Sequence, residues 1–225
     1  MKKAGFVFFV LIFLACNNKP PTNKQTEKLV TLSDTVVHQP DMAFVNSTEK
    51  DASATEGEPL IIAGESVGKI SLGTDASALQ NILGKPDMSD AAMGKAWITW
   101  YGKKTDEHNN KTELDIYTAY KDTSMREQTV QQIRTTSSFF ITTDSIHVYS
   151  SLDEIKNKYA VKKAAQYNND NRTINIYDDK KNGIAFEIAE AGSQHICTGI
   201  IIHAKNKSVN DIYIMLHPDM KRFDK

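Results

Sequence analysis

The chain has 225 residues, 40% hydrophobic and 24% charged, with a formal charge of −1 and two cysteines. A balance this close to neutral offers no basic footprint for nucleic acid. The length is ample for a fold that rests on an apolar core.

The N-terminus reads in three parts. Lys2 and Lys3 supply positive charge, Phe6 to Leu14 supply nine apolar residues, and Ala15 is a small residue before Cys16. This is the pattern of a secretory signal peptide over residues 1–15. A membrane-spanning helix needs about 20 apolar residues, and the polar Asn17-Asn18-Lys19-Pro20 follows too early for one.

Leu14-Ala15-Cys16 resembles the lipobox of bacterial lipoproteins, with Phe13 where that family more often has Leu. The aromatic variant followed by Asn is similar to lipoproteins of the Bacteroidota. The resemblance implies cleavage before Cys16 and its acylation with palmitate-type chains, which hold the protein on a membrane of the cell envelope. One acyl chain contributes about 0.8 kcal/mol per buried methylene and binds only marginally, so stable anchoring takes more than one. Asn17, in place of the Asp that retains enterobacterial lipoproteins at the inner membrane, implies the outer membrane. The absence of acidic residues from NNKPPTNK implies its periplasmic face. Loss of residues 1–15 removes two lysines and leaves 25 basic against 28 acidic residues, a formal charge of −3. With Cys16 acylated, Cys197 has no cysteine to pair with.

Residues 16–60 are rich in Lys, Thr, Asn, Ser, Asp, Glu and Pro and read as a disordered tether. As a flexible coil it reaches roughly 35–40 Å. Within it, Leu29 to Val37 has strand character and could dock on the folded part.

Two copies of one pattern follow, residues 61–136 and 137–225. In the first, VGKISLG is a strand and TDASALQNILGKPD a helix, capped by Thr74 or Asp75 and stopped by Gly84 and Pro86. Three strands succeed it: AWITWYG, TELDIYTAY and TVQQIRTT. In the second, FFITTDSIHVYS is the strand and SLDEIKNKY the helix, with Ser151 and Glu154 at capping-box spacing. RTINIYDD, GIAFEIAE and HICTGIIIHA are its three strands, with Asn182-Gly183 as the hairpin turn between the first two. The predicted fold class is α+β: two tandem β-α-β-β-β repeats forming antiparallel sheet with helices packed on one face. This arrangement, with the helix-ending LGKPD, resembles the tandem units of the beta-lactamase-inhibitor-protein-like fold. It is also similar to the single-unit BamE (SmpA/OmlA) lipoproteins. The resemblance implies a binding role, either as an accessory subunit of an outer-membrane assembly or as a module that occupies another protein's site.

Ile98, Trp100 and Tyr101 superpose on Ile174, Ile176 and Tyr177 at a constant spacing of 76 residues. Because alternate strand residues face opposite sides, Ile98, Trp100, Ile174 and Ile176 are expected under the helices. Trp97, Tyr101 and Tyr177 then lie on an open face. Leu114, Ile116, Phe186 and Ile188 read as core-facing, which turns Glu113, Asp115, Tyr117 and Glu187 to that same open face. Aromatics flanked by carboxylates suit protein recognition, because Tyr and Trp supply contact area at low entropic cost. The alternative is that these aromatics merely shield the sheet or pack between the two copies.

Other chemistry is weaker. His195, Cys197 and His203 share a parity, but His203 lies about 26 Å of extended strand from His195, so no metal site is expected. Cys197, in a run of isoleucines, reads as a small buried hydrophobe. Asp153-Glu154 suits a first helical turn, and Asp178-Asp179 adjoins a hairpin. GESVGKIS lacks the spacing of a phosphate-binding loop. The sequence thus points to a non-catalytic, cofactor-free, lipid-anchored envelope protein that engages another envelope protein through Trp97, Tyr101, Tyr117, Tyr177, Glu113, Asp115 and Glu187. A periplasmic binder of a small glycan or peptide is the alternative.

Overall fold

The computed structural model describes residues 59–169, 172–192, 194–212, 217 and 219–223. Residues 1–15, expected as a signal peptide, Cys16 and the segment Leu29 to Val37 lie outside the described residues.

The first strands, β1 (Leu60–Ile62), β2 (Ser66–Val67) and β3 (Ile70–Ser71), are short and antiparallel. A 3-10 turn over Ala76–Ala78 leads into α1 (Leu79–Leu83), with Asp75 accepting the Ser77 N–H as its cap. Gly84, at φ 81°, closes the helix after five residues. Four strands then run as a meander: β4 (Met88–Ala92), β5 (Lys95–Thr105), β6 (Lys111–Tyr120) and β7 (Gln128–Thr135). Met93 and Gly94, both at positive φ, turn β4 into β5.

β8 (Ile141–Thr142) pairs in parallel with β1 and completes a four-stranded sheet. α2 (Leu152–Lys158) begins with the expected capping box, Ser151 and Glu154 satisfying each other's backbone N–H groups. A second meander follows: β9 (Lys162–Asn169), β10 (Arg172–Asp179), β11 (Ile184–Ala191) and β12 (Gln194–His203). β13 (Lys221–Arg222) adds to β9. β12 pairs antiparallel with β7, Ile201 opposite Arg134, and this seam fuses the two meanders into one sheet. Among the described residues its order is β13-β9-β10-β11-β12-β7-β6-β5-β4.

The α+β expectation is overturned: the protein is mostly β, and helices do not cover the sheet. Nine strands at about 4.8 Å spacing stretch about 38 Å, whereas helices of five and seven residues are only about 8 and 10 Å long. The rest of the cover comes from the four-stranded sheet, through Ile61, Val67 and Ile70, and from the connection that carries Phe140, Ile146 and Val148. These pack with Leu79, Leu83, Leu152 and Ile155 of the helices against Ile116, Ile133, Phe186, Ile188, Ile200 and Ile202. Full burial of each such side chain contributes about 1.5–3 kcal/mol, so this layer is the main core. FFITTDSIHVYS, expected as one strand, yields only β8. The second helix, expected over SLDEIKNKY, ends at Lys158 with Tyr159 as its cap, and the chain then enters β9.

A second cluster occupies the opposite face at the β9–β12 end: Ala165, Tyr167, Ile174, Ile176, Ala185 and Ile201, covered by Val209 and Met220 of the C-terminal segment. Asp178 holds that segment, accepting the Val209 N–H at 2.9 Å through one oxygen and contacting His203 Nε2 at 2.9 Å through the other.

Ile174 and Ile176 were expected under the helices with Tyr177 on the open face, and the register reverses this. Residues directly opposite in an antiparallel pair share a face. Tyr177 pairs with Phe186 and Ile176 with Glu187, so Tyr177 lies on the helix side, where Lys156 of α2 stands over its ring. The 76-residue superposition was one residue out of phase in β10, and a one-residue slip exchanges the faces.

Candidate functional site

On the face away from the helices, three residues stand in cross-strand register on β5, β6 and β7: Thr99, Asp115 and Arg134. Thr99 Oγ1 donates to Asp115 Oδ1 at 2.7 Å, and Arg134 Nη1 donates to Asp115 Oδ2 at 2.7 Å. Nη1 also reaches Glu113 Oε2 at 3.1 Å. Two strands away, Glu187 takes the guanidinium in a fork, Oε1 accepting from Nε at 2.9 Å and Oε2 from Nη2 at 2.8 Å. One guanidinium is thereby ringed by three carboxylates. Burial alone would push the Arg134 pKa down, but Glu187 and Asp115 reverse this and hold it well above its ordinary value.

The fork depends on a bulge. Glu187 is opposite Gly199 and Ile188 is opposite Cys197, so Thr198 is an extra residue in β12. The bulge turns Cys197 into the main core while Gly199, Ile201 and His203 face the Arg134 side. His203 therefore does not share a face with Cys197, contrary to their equal parity in the sequence. Among the described residues no cluster of three or more His, Cys, Asp or Glu could hold a metal ion. Cys197 is fully buried, and that burial pushes its thiol pKa far up.

Around Arg134 lies a hollow of about 210 Å³ lined by residues from strands as distant in the sheet as β5 and β9. Its walls include Trp97, Tyr101, Tyr167 and His217, with Glu113, Asp115 and Glu187 about the guanidinium. His217 stacks flat on Tyr167, centroids 3.5 Å apart, and its burial lowers its pKa and favours the neutral ring. Burial, reinforced by Glu187, pushes the Tyr167 hydroxyl far up, so it stays protonated.

Six of the seven residues expected on this face are there: Trp97, Tyr101, Tyr117, Glu113, Asp115 and Glu187. Tyr177 is the exception. They are not the flat exposed surface expected, because Trp97 is only 6% exposed and Tyr117 5%, their rings packed 6.3 Å apart. Tyr101 is half-buried, with its hydroxyl on the Met88 sulfur and the Lys111 ammonium 3.5 Å above its ring. The Trp97 indole N–H has no hydrogen-bond partner, in contrast to Trp100, which donates to the Gly84 carbonyl. Gln132, between Tyr117 and His203 in the same cross-strand row, leaves both side-chain polar atoms unpaired. An unsatisfied buried polar group costs about 1–3 kcal/mol.

Sequence reasoning did not identify Arg134, Tyr167 or His217 as site residues. The available signal was electrostatic: three carboxylates turned to one sheet face call for a cation, and Arg134 is an arginine inside a strand of that sheet. Tyr167 and His217 gave no such signal, since neither the stretch between SLDEIKNKY and RTINIYDD nor the one after HICTGIIIHA was assigned to an element.

No family model matches the chain, and comparison with curated proteins and with solved structures likewise returns no match.

Proposed function

We propose that the protein is a lipid-anchored, non-catalytic binding protein of the cell envelope, held at the periplasmic face of the outer membrane. It engages another envelope protein through the sheet face that carries Arg134. Leu14-Ala15-Cys16 supports the anchor, and the polar composition of residues 16–60 supports a tether between it and the folded part. The observation that carries the binding reading is the hollow itself, which gathers Trp97, Tyr101 and three carboxylates around one guanidinium.

Recognition is favoured over chemistry by how these groups are spent. Glu187 gives both oxygens to Arg134, and Asp115 divides its two between Arg134 and Thr99. The thiol of Cys197 is in the core on the far side of the sheet. A second reading, a small glycan or peptide ligand, is favoured by the size of the hollow, which suits one side chain or one small ring more than a broad interface.

The test is affinity capture from envelope extract with the full chain, comparing the wild type with Tyr101→Ala and with Trp97→Ala/Tyr101→Ala after circular dichroism shows each to be folded. A protein retained by the wild type and lost by the variants supports the first reading. Saturable quenching of tryptophan fluorescence by a small molecule, without a captured protein, supports the second. The absence of both a captured protein and saturable quenching would overturn both readings. Release of Cys16→Ala from the membrane fraction tests the anchor.

A further inference from the structure

Resting on the reading of this face as a recognition surface, we infer that the group entering the hollow is an organic cation, an ammonium or guanidinium, carried beside a hydrogen-bond acceptor. Arg134 brings one positive charge against Glu113, Asp115 and Glu187, which leaves two formal negative charges uncompensated at the floor. The oxygens of Asp115 and Glu187 are committed to Arg134 and Thr99. Glu113 spends only Oε2 on Arg134, and its side chain is 37% exposed, so its other oxygen is the one an incoming cation meets. An anion would face the surplus of like charge, and a purely apolar group would desolvate it without compensation.

The walls point the same way. Trp97, Tyr101 and Tyr167 line the hollow, and the Tyr101 ring already holds one cation, the Lys111 ammonium 3.5 Å from its centroid. Neutral His217 adds no competing charge. Independently, the Trp97 indole N–H is a donor without a partner in a side chain more than nine-tenths buried, and the ring forms part of the wall. An indole only donates, so the ligand that completes it brings an acceptor. A backbone carbonyl next to a lysine or arginine side chain supplies both groups. A free amine supplies the cation alone.

The experiment is isothermal titration of the full acylated chain in detergent with acetyl-Gly-Arg-Gly-amide, its lysine, norleucine and glutamate counterparts, and agmatine. The arginine or lysine tripeptide is expected to bind saturably, at least about tenfold tighter than the norleucine one. Glu113→Gln should weaken it about tenfold, in line with the value of a charge-assisted contact. Tighter binding of the tripeptide than of agmatine, with Trp97→Phe erasing the difference, assigns the site to peptides. Equal binding assigns it to free organic cations. Equal affinity for the norleucine or glutamate tripeptide, or no cation binding, overturns the inference. If a partner is still captured in that case, the recognition reading stands and only the charge class falls. Loss of both removes that reading as well.

Discussion

Glu187 lies across Gly199: a Cβ at position 199 would come within 3.0 Å of Glu187 Cδ and closer still to Oε2. The missing side chain lets the carboxylate pass over β12 and reach Arg134 on the next strand. Gly199→Ala should therefore destabilise the protein by about 1–3 kcal/mol, the usual cost of overpacking, as read by urea denaturation. The cost should shrink in a Glu187→Ala background. An equal cost in both backgrounds would show that the glycine is needed for another reason.

Arg134→Met leaves three carboxylates facing one another without a counter-ion. Removing one partner from a buried ion cluster costs about 3–5 kcal/mol, and a loss of that size is expected in the same assay. Arg134→Lys should fall between, since an ammonium keeps the charge but cannot fork onto Glu187. A lysine variant as stable as the wild type would show that charge alone, without geometry, holds the cluster.

Gln132 gives the opposite sign. Its amide is buried and unpaired, so Gln132→Met, similar in shape and without the unsatisfied groups, should leave stability unchanged or raise it by about 1 kcal/mol. A loss greater than that would mean the amide has a structural task.

His217 is expected to make stability depend on pH. Its burial lowers the folded-state pKa from the ordinary 6.5, so near and below that pH the unfolded chain binds a proton that the folded chain does not. Stability from this group is full above pH 6.5 and declines as the pH falls below it. His217→Phe keeps a ring on Tyr167 but cannot protonate, and should flatten the urea-midpoint profile between pH 7.5 and 5. Parallel profiles would refute the assignment.

Cys197, buried with its thiol pKa pushed up, should resist an aromatic disulfide reagent in the folded protein and react once urea unfolds it. Rapid labelling under native conditions would contradict the described burial.

Much of the chain's local structure was legible in its residues. Ser151 and Glu154 make the capping box that their spacing specifies, and Asp75 and Gly84 bound the first helical segment. The alternation in TELDIYTAY placed Glu113, Asp115 and Tyr117 on one face, and the register agrees. RTINIYDD failed because Ile174 and Ile176 are apolar on the face opposite the main core, under Val209 and Met220. Both faces of β10 are therefore buried, and its alternation carried no information about which was which. MSDAA and KKAAQYNN were missed because their apolar residues are mostly alanines, too small to mark a period.

The sequence by itself determined where six of the eight strands of the two meanders lie, how the two helices begin, and that acidic and aromatic side chains share a face, because these follow from the period of two and from local capping. The tertiary structure decided the fold class, because helix length alone does not say what else will cover a sheet of this width. It also decided the site. Arg134, Glu113, Asp115, Glu187, Tyr167 and His217 meet only after β7 pairs with β12 and the extra residue Thr198 turns Gly199 beneath Glu187. Such contacts depend on long-range pairing and a bulge, for which the local pattern holds no signal.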